Sequence, residues 1–143
     1  MSDKNNVSYA SDAEVEALVA RFASCELPPD EVSHPVHVAM SAWCFLRLPE
    51  DEAAARVYDD LRRYVKHHDI KIFNETMTRF WTRLIASAVA GMDRGRPAFA
   101  IVNDVVARLG NSRMIFAYYT RERLQTEEAR RLWVEPDLRP LDF

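Results

Sequence analysis

An all-α fold is what this sequence predicts, and three observations carry it. Glycine occurs 3 times in 143 residues, whereas strand-rich folds spend glycine on tight turns and bulges. Apolar residues recur at three- and four-residue spacing over segments long enough for helices. Gly91, Gly95, Gly110 and the prolines fall between those segments, which is how helices are punctuated. The length implies one domain, spanning 11–143 behind a polar, mobile tail of residues 1–10. The expected architecture is a single-domain antiparallel bundle of about six or seven helices with an extended C-terminal tail.

Each element has its own signal. Ser11 caps the first helix, with Glu14 in the capping-box position and Val15, Leu18, Val19 and Phe22 as its apolar stripe. "LPPDEVS" breaks it. Pro35 suits the first position of a second helix, which makes His34 its cap and His37 its third residue. Val36, Met40, Trp43, Cys44 and Leu48 follow at helical spacing, up to Pro49. A third helix over 50–67 buries Ala54, Val57, Tyr58, Leu61, Tyr64 and Val65. Asn74 caps a fourth helix that runs through residue 90 on Met77, Phe80, Trp81, Leu84, Ile85 and Ala88. Pro97 opens a fifth that ends at Gly110, and a sixth covers 113–124. Thr126 caps a short seventh, with Glu127 and Glu128 in its first turn. The prolines of "EPDLRPLDF" forbid helix, so the chain ends extended.

Composition excludes several classes. Hydrophobic residues at 48% and charged residues at 29% predict a packed core rather than disorder. A net charge of −3 without a basic stripe gives no footprint for nucleic acid. No apolar run reaches the roughly 18–20 residues that cross a bilayer, and the first residues lack the apolar core of a signal peptide. Cys25 and Cys44 lack C-x-x-C spacing and sit in apolar helical patterns, so they read as reduced, packed thiols of a cytoplasmic protein. No nucleophile elbow and no glycine-rich phosphate loop is present, which removes support for acyl transfer and nucleotide chemistry. A bundle this small with half-apolar helix faces is also open to forming a homodimer.

Connectivity locates a candidate site. Short connections make sequential helices antiparallel neighbours. The start of the second helix, the end of the third and the start of the fourth then share one end of the bundle. His34 and His37, His67 and His68, and Asn74 and Glu75 all lie there. Imidazoles three apart on a helix face one another and can converge on one ion or ligand. The positive helix N-terminus disfavours imidazolium and leaves the neutral form that a metal ligand or general base needs. Glu75 adds a carboxylate. Two histidines and a carboxylate form the ligand set of non-haem iron, and a similar set serves catalytic zinc. The candidate roles are therefore His34, His37 and Glu75 as catalytic or metal-binding residues for a divalent Fe or Zn. Asn74, Thr76 or Thr78 would orient substrate or support the ligands, with Asn74 and Thr78 as the substrate-binding pair and the Tyr118 hydroxyl reaching inward. The competing structural reading has His34 as a cap, His37 as an inward core residue and Asn74-Glu75 as an ordinary helix start. In that reading His67 and His68 supply only charge at a helix C-terminus, and the domain is a non-catalytic binding or interaction module.

Four separated segments resemble, in order, a family of small, largely uncharacterised bacterial helical proteins. They are His34-Pro-Val-His37 with Ala42-Trp43, Asn74-Glu75-Thr76-Met-Thr78-Arg-Phe80-Trp81, Tyr118-Tyr119-Thr120-Arg-Glu122-Arg-Leu124, and Val134-Glu-Pro136-Asp137-Leu-Arg-Pro140-Leu141. The resemblance implies one all-α domain in which the histidine pair, Glu75 and the tyrosine segment belong to one constellation. It also implies that Pro136 to Leu141 dock back onto the bundle. Asn74 stands where that pattern often has histidine, so a site of three histidines and a glutamate would here be one imidazole short. The function expected from all of this is small-molecule binding in a polar His/Glu pocket, with metal-assisted tailoring of a metabolite as its enzymatic form.

Overall fold

A computed structural model describes residues 7–143, and every regular element in that span is helical. The α-helices are α1 (Asp12–Ala23), α2 (His34–Arg47), α3 (Glu50–His67), α4 (Glu75–Ala90), α5 (Ala98–Leu109), α6 (Arg121–Leu124) and α7 (Glu127–Arg131). Two 3-10 segments, Pro29–Glu31 and Ser112–Ala117, join α1 to α2 and α5 to α6.

The second helix is the centre of the bundle. From His34 to Phe45 all but one of its residues are buried, so α2 is enclosed around its whole circumference. It packs against α1, α3, α4 and α5. Its cap is Ser33, whose hydroxyl accepts from the Val36 amide, and Pro35 occupies the second helical position. The expected cap, His34, is instead the first helical residue, because serine one position earlier can accept that bond and an imidazole facing the core cannot.

The fourth helix lies between two apolar clusters. Ile85, Ala86 and Val89 join the main core with α2 and α5. Phe80 belongs to a second cluster with Ile115, Tyr118, Tyr119, Leu124, Ala129 and Val134. Its ring centroid is 5.4 Å from those of Trp81, Tyr118 and Phe143. Burying one such ring stabilises by about 2–3 kcal/mol.

That second cluster explains a departure from the expected sixth helix. Residues 113–124 do not form one helix: the chain turns at Tyr118–Thr120. The Tyr118 carbonyl accepts from the Leu138 amide at 2.9 Å. The Thr120 amide and hydroxyl both donate to the Asp137 carboxylate, at 2.9 and 2.6 Å. The tail thus takes the backbone groups that a continuous helix would have used. No residue beyond Arg131 is helical, as the prolines require, and 134–143 lie against the bundle through Val134, Leu141 and Phe143.

At the other end, residues 1–6 of the expected mobile tail lie outside the described residues. Residues 7–10 are held in place. The Tyr9 amide donates to Asn103 Oδ1 and the Asn103 amide donates back to the Tyr9 carbonyl, both at 2.9 Å. Ser11 accepts from the Glu14 amide, and Glu14 accepts from the Ala10 amide, which displaces the capping box by one residue. Asp12 serves a different helix: its carboxylate accepts from the Phe99 amide at 2.8 Å, filling the cap that Pro97 cannot supply to α5.

Two helices end in left-handed residues that are not glycine. Cys25 (φ 66°) follows α1, and Asp69 (φ 52°) follows α3. In each case the paired bonds of a Schellman motif are complete: Cys25 to Phe22 and Glu26 to Arg21, then Asp69 to Lys66 and Ile70 to Val65.

Candidate functional site

The histidine end of the bundle is assembled as connectivity predicts. The His37 ring meets Phe22 of α1 edge-on at 5.7 Å. Phe22 stacks on Tyr64 of α3 at 4.4 Å, and Tyr64 meets His68 at 4.3 Å. His68 Nε2 donates to the Cys25 carbonyl at 3.0 Å, and the Tyr64 hydroxyl donates to the Leu27 carbonyl at 2.6 Å. His68 therefore serves the backbone where α1 ends.

Beside this ring chain, α2, α3, α4 and the Ser112–Ala117 turn enclose a cavity of about 330 Å³. His34, His37 and Ser41 border it from α2, one or two turns apart on a single face. Thr78, Trp81 and Thr82 border it from α4, with Val57 and Leu61 from α3. Arg113 and Arg121 stand at its solvent side.

The two imidazoles are held differently. His34 is buried, and its Nε2–H donates to the carbonyl of Leu109, the last residue of α5, at 3.0 Å. A carbonyl only accepts, so this bond fixes the hydrogen on Nε2. The ring also meets Trp81 edge-on at 4.2 Å. His37 is half-buried at the cavity wall. Desolvation, reinforced by the neighbouring His34, pushes its pKa down to about 4, so His37 is neutral at pH 7. Burial, which the sequence expectation did not invoke, is the leading cause of this shift.

The five remaining candidates divide. Thr78 borders the cavity, with its hydroxyl donating to the Asn74 carbonyl at 2.9 Å. Asn74 caps α4: its side-chain carbonyl accepts from the Met77 amide and its NH₂ donates to the Leu124 carbonyl at 2.7 Å. That places Asn74 outside this cavity, tying α4 to α6. Glu75 is also outside it. At about 100° of turn per residue it lies about 120° around α4 from Trp81 but only about 20° from Thr82, so its partners rather than its helix face set where its carboxylate goes. Its carboxylate faces Arg62 at 3.3 Å and Arg79 at 3.5 Å. Tyr118 points the other way, with its hydroxyl donating to Asp142 and Arg139 lying 4.4 Å over its ring. Thr76, fully buried, donates to the Leu132 carbonyl at 2.7 Å and accepts from the Val134 amide at 3.2 Å. Thr76 and Tyr118 anchor the tail.

The expected His34, His37 and Glu75 metal triad is therefore not assembled. Among the described residues no group of three or more His, Cys, Asp or Glu side chains is placed to hold a metal ion. His34 Nε2 is committed to Leu109, and Glu75 faces the arginines. The donor set does not fit a resident Fe or Zn ion. Cys25 and Cys44 are free, buried thiols, and burial raises Cys44 to about 11, well outside the range of a nucleophile.

Sequence reasoning passed over Ser41, Thr82 and Arg113, and gave Trp81 and Arg121 only structural roles, in core packing and as a solvated or acid-paired charge. Part of the signal was present. Ser41 follows His37 by four residues and Thr82 follows Thr78 by four, so each continues a face already identified. No family model, curated protein or solved structure matches the chain.

Proposed function

We propose that this protein binds a small organic molecule in the cavity between α2, α3 and α4, and that it does so in a bacterial cytoplasm. The observation that carries the reading is the cavity of about 330 Å³ itself. A few polar groups, His34, His37, Ser41, Thr78 and Thr82, converge on walls that are otherwise largely apolar, the usual composition of a ligand site. The two unpaired thiols support the cytoplasm. No helix among the described residues is long and apolar enough to cross a membrane.

Binding is favoured over catalysis by the state of the histidines. A general base works best with a pKa near the operating pH, and His37 sits at about 4. His34 is engaged with Leu109. Both rings are suited to orienting a ligand by hydrogen bonds and edge contacts.

A thermal-shift screen of a metabolite library against the wild type and Val57→Phe tests this. Val57 borders the cavity, and the larger ring occupies it. Ligands of the site raise the melting temperature of the wild type and leave the filled variant unchanged. An identical response from both proteins, or no response from the wild type, contradicts the proposal.

A further inference from the structure

We infer that the ligand of this cavity is an organic anion with an apolar body, entering body first and leaving its charged group at the arginine rim. The inference deepens the small-molecule reading above and rests on it.

The cavity has two ends of different character. The rim carries Arg113 and Arg121, both exposed. Among the described residues neither guanidinium pairs with a carboxylate, and Arg121 lies 4.3 Å over the ring of Phe116. No aspartate or glutamate borders the cavity. Among the described residues eight of the 16 arginines lie within 4 Å of a carboxylate, Arg56 and Arg63 on Asp60 among them, whereas the two at this rim keep their charge uncompensated.

The interior offers acceptors and apolar surface. Thr78 and Thr82 give their hydroxyl hydrogens to the carbonyls of Asn74 and Thr78, at 2.9 and 2.7 Å, so toward a ligand they can only accept. His37 is neutral. Val38, Val57, Leu61, Trp81 and Ile85 complete the walls. An anion buried here would meet few donors, whereas at the rim it meets two fixed charges capable of strong, charge-assisted bonds. A cation is disfavoured at the rim by the same charges. A second cavity of about 300 Å³ shares Met77, Phe116 and Arg121 with the first and adds Arg130, again without a carboxylate. The cationic rim therefore extends along one side of the molecule.

The test uses a matched pair of fluorescent probes on the full chain. 8-Anilinonaphthalene-1-sulfonate carries a sulfonate, and N-phenyl-1-naphthylamine has the same aromatic body without it. The wild type binds the sulfonate about tenfold more tightly than the neutral dye. Arg113→Gln with Arg121→Gln brings the sulfonate down to the affinity of the neutral dye, with neutral-dye binding unchanged. Equal affinity of the wild type for the two dyes overturns the anion inference, as does a sulfonate preference that survives both substitutions. The pocket reading has separate controls: Val57→Phe and Leu61→Phe each abolish binding of both dyes. Dye binding that is unaffected in both filled variants, or no binding of either dye to the wild type, removes the pocket reading and the inference with it.

Discussion

The Nε2 of His34 lies 3.0 Å from the carbonyl oxygen of Leu109, so the first residue of α2 completes the last residue of α5. Helix C-termini leave carbonyls without partners, and this one is filled by a side chain 75 positions away in sequence. His34→Ala removes the donor and the contact with Trp81 together. The expected loss is about 2–4 kcal/mol in urea unfolding. A loss under about 1 kcal/mol would mean that the bond contributes little beyond what water supplies.

Gly110 reports on the same junction. A Cβ there would sit 2.6 Å from the Val106 carbonyl oxygen, with the Pro35 ring 3.8 Å away. The Val106 oxygen already accepts from the Gly110 amide at 2.8 Å, so it cannot easily withdraw. Gly110→Ala should destabilise by about 1–3 kcal/mol as local overpacking. An alanine variant as stable as the wild type would show that α5 can end differently.

His37 sets a pH dependence whose sign is fixed by its environment. Its folded pKa, about 4, lies below the ordinary 6.5 of the unfolded chain. Between those values the unfolded state binds more protons, so stability rises with pH. The contribution is complete above pH 6.5 and is lost as pH falls toward 4, by up to about 3 kcal/mol. The difference in unfolding free energy between the wild type and His37→Gln, followed from pH 8 to pH 4, isolates it. A difference that stays constant over that range would contradict the assignment.

One buried hydroxyl holds the start of the tail. Thr76 bridges the Leu132 carbonyl and the Val134 amide, on either side of Trp133. Thr76→Val keeps the shape and leaves both backbone groups short of a partner in a buried place. About 1–3 kcal/mol is expected to be lost, with faster amide exchange at Val134 as the local reporter. Unchanged exchange there would place the anchorage of the tail elsewhere, in Tyr119, Asp137 or Phe143.

At the end of α3 the sequence uses Asp69 where glycine is the easier residue. Among the described residues its only side-chain partner is Lys71, and that pair is solvent-exposed, which makes it worth little. Asp69→Gly should stabilise by roughly 0.5–1 kcal/mol in thermal melts. A lower melting temperature would show that the left-handed strain at Asp69 is smaller than the entropy that glycine adds to the unfolded chain.

Much of this fold was readable because its signals are local. Asn74 and Thr126 cap the helices that their types predict, and α3 spans Glu50–His67 as its apolar spacing requires. The split of the sixth helix was not readable, since it follows from Asp137 reaching Thr120 across 17 positions. The candidate site divides in the same way. Chain connectivity brings His34, His37 and Glu75 toward one end of the bundle, but an end is not a face. Thr78 faces the cavity with the histidines, whereas Glu75, three residues earlier, is turned to Arg62 and Arg79. Tyr118 failed as a candidate for a related reason: its hydroxyl was taken by a tail whose docking only the whole structure reveals.

The four histidines provide the most direct test of the central claim, because two border the cavity and two lie outside it. Imidazole ¹⁵N–¹H correlation spectra, recorded during titration with 8-anilinonaphthalene-1-sulfonate, report on each ring separately. The proposal predicts saturable shifts of His34 and His37, with His67 and His68 unmoved. Shifts confined to His67 and His68, or saturation of dye fluorescence with no movement of His34 and His37, would contradict it.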